Sequence, residues 1–252
     1  MNEKSENRKA LPKFTLSLLG SLLVGGVIGF AVGLSRAMGL DTAALAEGLS
    51  AVLAAITPWG IPVTSALTLG SCLVLYRSAA RKFAAWDGGD EDETSEAIDT
   101  ALSWALLLSA VQLLLNLFFL SAFCIYWMDR DIRALALVGV FVLSCGFVVF
   151  AQQKAVDLTR RMNPEKRGSV YDAKFQKKWL DSCDEAERRQ VGQACYRAYM
   201  VSSRFCLGLW LALVMLSMIF KISMLPTVVL LLVWGVMQVT YSLECIRLGK
   251  RN

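Results

Sequence analysis

Residues 101–127 read ALSWALLLSAVQLLLNLFFLSAFCIYW, a run without a single charged side chain. About 20 apolar residues in a helix cross the ~30 Å hydrocarbon layer of a bilayer, and this run is longer than that. Comparable stretches recur at 14–34, 49–76, 134–152, 205–220 with a turn before it, and 225–243. The whole chain of 252 residues is 56% hydrophobic and 19% charged, against about 45–50% and 25% for an ordinary soluble domain. The charges are bunched between the apolar runs. A β-barrel would show alternating segments of ~10 residues, and none is present. The expected fold is all-α: a polytopic integral membrane protein with six transmembrane helices and a small helical cytoplasmic cap.

Within the 101–127 run, Gln112 and Asn116 are four residues apart and share one helix face near mid-membrane. Amides at that depth bond to a neighbouring helix or line a substrate path, and with Gln238 of the sixth run they are the candidate intramembrane polar site. The first run is too long for the 7–15-residue core of a signal peptide, so it is read as a span. In it Ser17, Ser21, Gly25, Gly29 and Gly33 recur every fourth residue. Small residues on one face let helix backbones approach in lipid, although glycine is also simply common in membrane helices. The second run contains Pro58, Gly60 and Pro62. Proline removes a donor and clashes with the preceding turn, so a break is expected near 57–62, giving either a short interfacial helix before a span from Trp59 or one kinked helix.

The connections carry the charge. Residues 1–13 form a basic tail. Residues 77–100 hold three basic and seven acidic residues, and 153–204 hold 12 of the 26 Lys and Arg with seven acids. The acids after Gly88-Gly89 suit the first turn of the next helix; they lack the order of an EF-hand. Counted on alternate segments from the tail, 22 of the 26 basic residues fall on one side and 4 on the other. Positive charge collects on the cytoplasmic side, so the termini, 77–100 and 153–204 are expected inside a cytoplasmic membrane. The domain plan follows: tail 1–13, spans one to four over 14–152 with the acidic loop 77–100, the basic helical loop 153–204, and spans five and six with a short tail over 205–252.

In the basic loop, the fourth helix is expected to continue until Asn163-Pro164, because the residue before proline disfavours helix. EKRGSVYD (165–172) is rich in turn formers. Ser182 and Glu185 have capping-box spacing, so a helix is expected to start there and run on toward span five. Phe175 and Trp179, beside Lys174, Lys177 and Lys178, make an apolar stripe with a basic edge. It suits a helix lying on an anionic leaflet or one packed on the arm 153–162. Lys82-Phe83-x-x-Trp86-Asp87 echoes Lys174-Phe175-x-x-x-Trp179-x-Asp181, which is what a duplicated hairpin would leave. The two loops, net −4 and +5, are expected to dock.

Chemistry is scarce. There is no histidine, which removes the commonest general base and metal ligand. The seven cysteines (Cys72, Cys124, Cys145, Cys183, Cys195, Cys206, Cys245) include no C-x-x-C pair and read as small apolar filler. No catalytic residue, metal ligand or cofactor is expected. Charged residues, the usual mark of ion coupling, are missing from mid-span, and no base accompanies the intramembrane serines. The expected function is non-enzymatic: action through protein partners by way of the cytoplasmic loops, with Lys174, Lys177, Lys178 and Trp179 as surface. The alternative is a small transporter, permease component or lipid- or peptide-handling protein. Expected partners are lipids of the anionic cytoplasmic leaflet, a membrane or cytoplasmic protein, and a second copy of the chain. Nucleic acid is not expected, since the basic loop is mixed with acids and explained by threading.

The stretch NPEKRGSVYDAKFQKKWLDSCDEAE (163–187), then Ala194-Cys195-Tyr196-Arg197-Ala198-Tyr199, with six spans and an acidic DEDE segment before the third, resembles the bacterial membrane proteins of the domain of unknown function 3169. The resemblance covers nearly the whole chain. It implies a bacterial cytoplasmic-membrane protein and brings no activity and no catalytic residues.

Overall fold

The computed structural model of the chain describes residues 42–86, 91–127, 133–220 and 223–249, together with 12, 15, 19, 26, 30, 33 and 34. Among them the elements are all helices: α1 (Thr42–Ala85), α2 (Glu91–Tyr126), α3 (Arg133–Met162), α4 (Phe175–Asp181), α5 (Glu185–Phe220) and α6 (Leu225–Gly249). All but α4 contain stretches long and apolar enough to cross a membrane. Most of the expected first span, including Ser17, Ser21, Gly25 and Gly29, lies outside the described residues; Gly33 is helical and exposed. The chain divides into two compact units, Gly48–Val191 and Met1–Glu47 with Gly192–Asn252.

In the Gly48–Val191 unit the pattern of burial is inverted relative to a water-soluble protein. Gln112 and Asn116 are wholly buried, while Leu114 is 67% and Phe147 59% exposed. Apolar side chains facing outward and amides facing inward are what a lipid solvent selects. α1 has 44 residues and so is ~66 Å long, about twice the hydrocarbon thickness.

Of the two arrangements expected at 57–62, the split into a short helix and a separate span does not occur: α1 runs continuously through Pro58 and Pro62. Pro58 has no N–H for the carbonyl of Ala54, one turn back. The indole N–H of Trp127, just past α2, donates to that carbonyl instead at 2.9 Å. Gly60 adds a close approach: a Cβ there would lie 2.2 Å from the ring of Phe119, so the glycine seats that ring against the α1 backbone.

α2 packs on α3. The end of α1, the start of α2 and the end of α3 share a core of Ala79, Ile98, Leu102, Ala155 and Leu158. Segments 77–100 and 153–204 therefore do meet, and among the described residues they do so through these apolar side chains. α3 stops at Met162, ahead of Asn163-Pro164 as expected. The turn that follows uses Gly168 at φ 126°, a backbone region that favours glycine, and a Cβ there would also crowd the Phe175 ring.

Candidate functional site

Three arrangements could carry function. The first lies inside the apolar part of α1–α3. The Thr68 hydroxyl donates to Gln112 Oε1 at 2.7 Å. Gln112 Nε2 donates to Ser65 Oγ at 2.9 Å, to Asn116 Oδ1 at 2.8 Å and to Thr64 Oγ1 at 3.2 Å. Asn116 Nδ2 donates to Ser144 Oγ at 2.8 Å, and the Ser65 and Ser144 hydroxyls share a bond of 2.7 Å. About two turns along α3, Gln152 Nε2 donates to Ser109 Oγ at 3.1 Å. Gln112 and Asn116 thus face neighbouring helices, and every polar atom of both amides has a partner. The hydroxyl partners were not singled out from sequence, since isolated Ser and Thr in an apolar run carry no spacing signal.

The second arrangement belongs to the other unit and joins α5 to α6. The Tyr199 hydroxyl donates to Gln238 Oε1 at 2.6 Å. Gln238 Nε2 and the Trp234 indole both donate to Ser203 Oγ, at 3.0 and 3.2 Å, and the Tyr199 and Tyr241 rings stack 4.4 Å apart. Gln238, on an exposed face, therefore ties α5 to α6.

The third is built where the helices run beyond their apolar stretches. Gln153, buried on α3, accepts from Ser169 Oγ at 2.9 Å and from the Val170 N–H at 2.8 Å, and donates to Asp157 at 2.8 Å. It fastens the connector to α3. Ser182 Oγ accepts from the Arg167 N–H at 3.1 Å and donates to the Trp179 carbonyl at 2.7 Å. The capping box expected at Ser182 and Glu185 is formed instead by Asp184 and Glu187: the Glu187 N–H donates to Asp184 Oδ1 at 2.8 Å, and the Asp184 N–H to Glu187 Oε2 at 3.0 Å. Ser182 is already committed to closing α4, so the next acceptor starts α5. From there α5 continues unbroken, as expected.

Glu187 also pairs with Lys166, whose side chain is 4% exposed. Burial by itself pulls the ammonium pKa down; the Glu187 carboxylate, with Cys183 alongside, more than reverses this and leaves it above its ordinary value. Beside this pair stand the expected surface residues. Lys174, Lys177 and Lys178 are exposed. Lys178 pairs with Asp172, and that bond, with the N–H of Lys174 at 2.9 Å, holds the Asp172 carboxyl below the usual carboxylate range. Trp179 is half-buried, its ring 5.6 Å from Phe175. A groove of about 950 Å³ opens nearby, walled by Trp86 and Trp104 with Glu96, Asp99 and Gln190. Among the described residues no group of three His, Cys, Asp or Glu side chains is placed to hold a metal ion.

The model of one protein family, described as "Protein of unknown function (DUF3169)", matches residues 8–244. No curated protein and no solved structure matches the chain.

Proposed function

The chain belongs to the DUF3169 family, and from that premise we propose that it is a six-span protein of the bacterial cytoplasmic membrane that acts through a protein partner, without catalysing a reaction itself. Its contact surface is the cap formed by the connector 163–174, α4 and the start of α5, on the cytoplasmic side. The observation that carries this reading is the Lys166–Glu187 pair. A buried ammonium is costly unless paired, and this one ties the connector to the first turn of α5, while Lys174, Lys177 and Lys178 of the same cap are exposed. Exposed charge of one sign on a fixed scaffold favours specificity and fast encounter with a partner of opposite charge.

The threading adds support, because 22 of 26 basic residues fall on the side that carries this cap. The amides argue in the same direction. Gln112, Asn116 and Gln238 spend their hydrogen bonds on neighbouring helices, which leaves them as clamps and offers little to a solute crossing the bilayer.

The test is a tagged pull-down of the full chain from native membranes in mild detergent. A protein partner recovered in stoichiometric amount, and lost when Lys174, Lys177 and Lys178 are changed to Glu, is the expected result. Recovery unchanged by the charge reversal would contradict the cap as the contact surface.

A further inference from the structure

One cavity of the Gly48–Val191 unit is unlike the groove walled by Trp86 and Trp104. It has a volume of about 620 Å³ and lies between α1 and α3, bounded by Ser65 and Phe147 at one end and by Tyr76 and Lys154 at the other. Its lining includes the small residues Gly70 and Ala151. Among the described residues nothing lies within 4 Å of the position a Cβ would take on Gly70. Along α1 the distance from Ser65 to Tyr76 is 11 residues, ~16 Å of helix. That is about half of the ~30 Å hydrocarbon layer, the depth of a single leaflet.

The two ends differ in chemistry. Ser65 belongs to the buried hydroxyl–amide network and its hydrogen-bonding capacity is used there. At the other end the Lys154 ammonium stands over the Phe150 ring, 5.3 Å from its centre, on an exposed side chain. A lysine on a long apolar stem at the edge of an apolar slot carries its charge to the interface. A slot one leaflet deep, dry along its length and cationic at its mouth, complements a chain that is apolar for that length and anionic at its head.

We propose that this groove seats one acyl chain of an anionic phospholipid, with the phosphate held at Lys154 and the chain running past Gly70 and Ala151 toward Ser65. This site is separate from the cap surface, and its occupancy does not depend on the partner reading.

The test is native mass spectrometry of the full chain in detergent, titrated with a phosphatidylglycerol and a phosphatidylcholine of identical acyl chains. The anionic lipid is expected to form adducts about fivefold more readily, the effect of roughly one favourable lysine at the interface. Lys154→Gln should bring the two lipids to parity. Gly70→Leu should fill the slot and reduce retention of both, while Lys154→Gln, on an exposed residue, keeps the measurement independent of any folding defect from the larger side chain. Equal binding of the two lipids by the unaltered chain would overturn the proposal. So would retention insensitive to both substitutions, which would mean that another helix of this chain or a second copy covers the groove.

Discussion

The indole N–H of Trp127 donates to the carbonyl of Ala54 at 2.9 Å, and Ala54 is the residue whose helical donor Pro58 removes. A proline that would break a water-exposed helix is tolerated here because a neighbouring side chain supplies the missing bond. Trp127→Phe should therefore lower stability by about 1–2 kcal/mol, the cost of an acceptor left unsatisfied in an apolar setting. The same change made on a Pro58→Ala background should cost less, since the restored N–H returns to Ala54. Thermal unfolding of the four proteins of that cycle in detergent is the measurement.

Gly60 offers a second test of the same corner. A methyl added there overlaps the Phe119 ring, so Gly60→Ala should destabilise by about 1–3 kcal/mol, the usual cost of overpacking. Phe119→Leu made together with it should recover part of the loss. Additive effects of the two substitutions would count against a direct contact.

The polar network inside α1–α3 behaves as one unit, its members joined by bonds of 2.7–3.2 Å. Gln112→Leu or Asn116→Leu should each cost about 0.6–1.7 kcal/mol, the range found for hydrogen bonds between membrane helices. The double substitution should cost clearly less than the two added, because each removes the 2.8 Å bond between the two amides. Unfolding titrations with a denaturing detergent would show it.

Much of this architecture was legible because membrane spans are written in composition: charge-free runs gave the apolar parts of α1, α2, α3, α5 and α6, and Asn163-Pro164 gave the end of α3. The four-residue spacing of Gln112 and Asn116 gave their common face. Their partners Ser65 and Ser144 come from two other helices, 79 residues apart, and register between helices leaves no local mark. The Asp184–Glu187 capping box overlaps the Ser182–Glu185 alternative, and only the hydrogen bonds of Ser182 with α4 decide between them. Lys166 and Glu187 sit in a segment with 12 basic and seven acidic residues, where pattern alone offers too many pairings. The rescue of Pro58 by Trp127 crosses 73 residues, out of reach of any local rule about proline.

The Lys166–Glu187 pair sets the response of the cap to pH. Its ammonium is held above the ordinary lysine value of 10.5, so its contribution is fully present below that value and is lost as pH rises through the raised one. Protease resistance of the connector 163–174 should fall in strongly alkaline buffer in the unaltered chain and show less pH dependence in Lys166→Met. Glu187→Gln, which leaves the ammonium buried without its counter-charge, should be the more damaging change, by up to ~3 kcal/mol.

Everything proposed for the cap depends on which side of the membrane it faces, and that can be measured directly. A single cysteine is placed at Lys177 in a chain whose seven native cysteines are replaced by serine or alanine, and a membrane-impermeant maleimide is applied to intact spheroplasts and to inverted membrane vesicles. The account predicts labelling in inverted vesicles and protection in spheroplasts. Labelling of intact spheroplasts would put α4 and its lysines outside the cell and contradict the cytoplasmic cap.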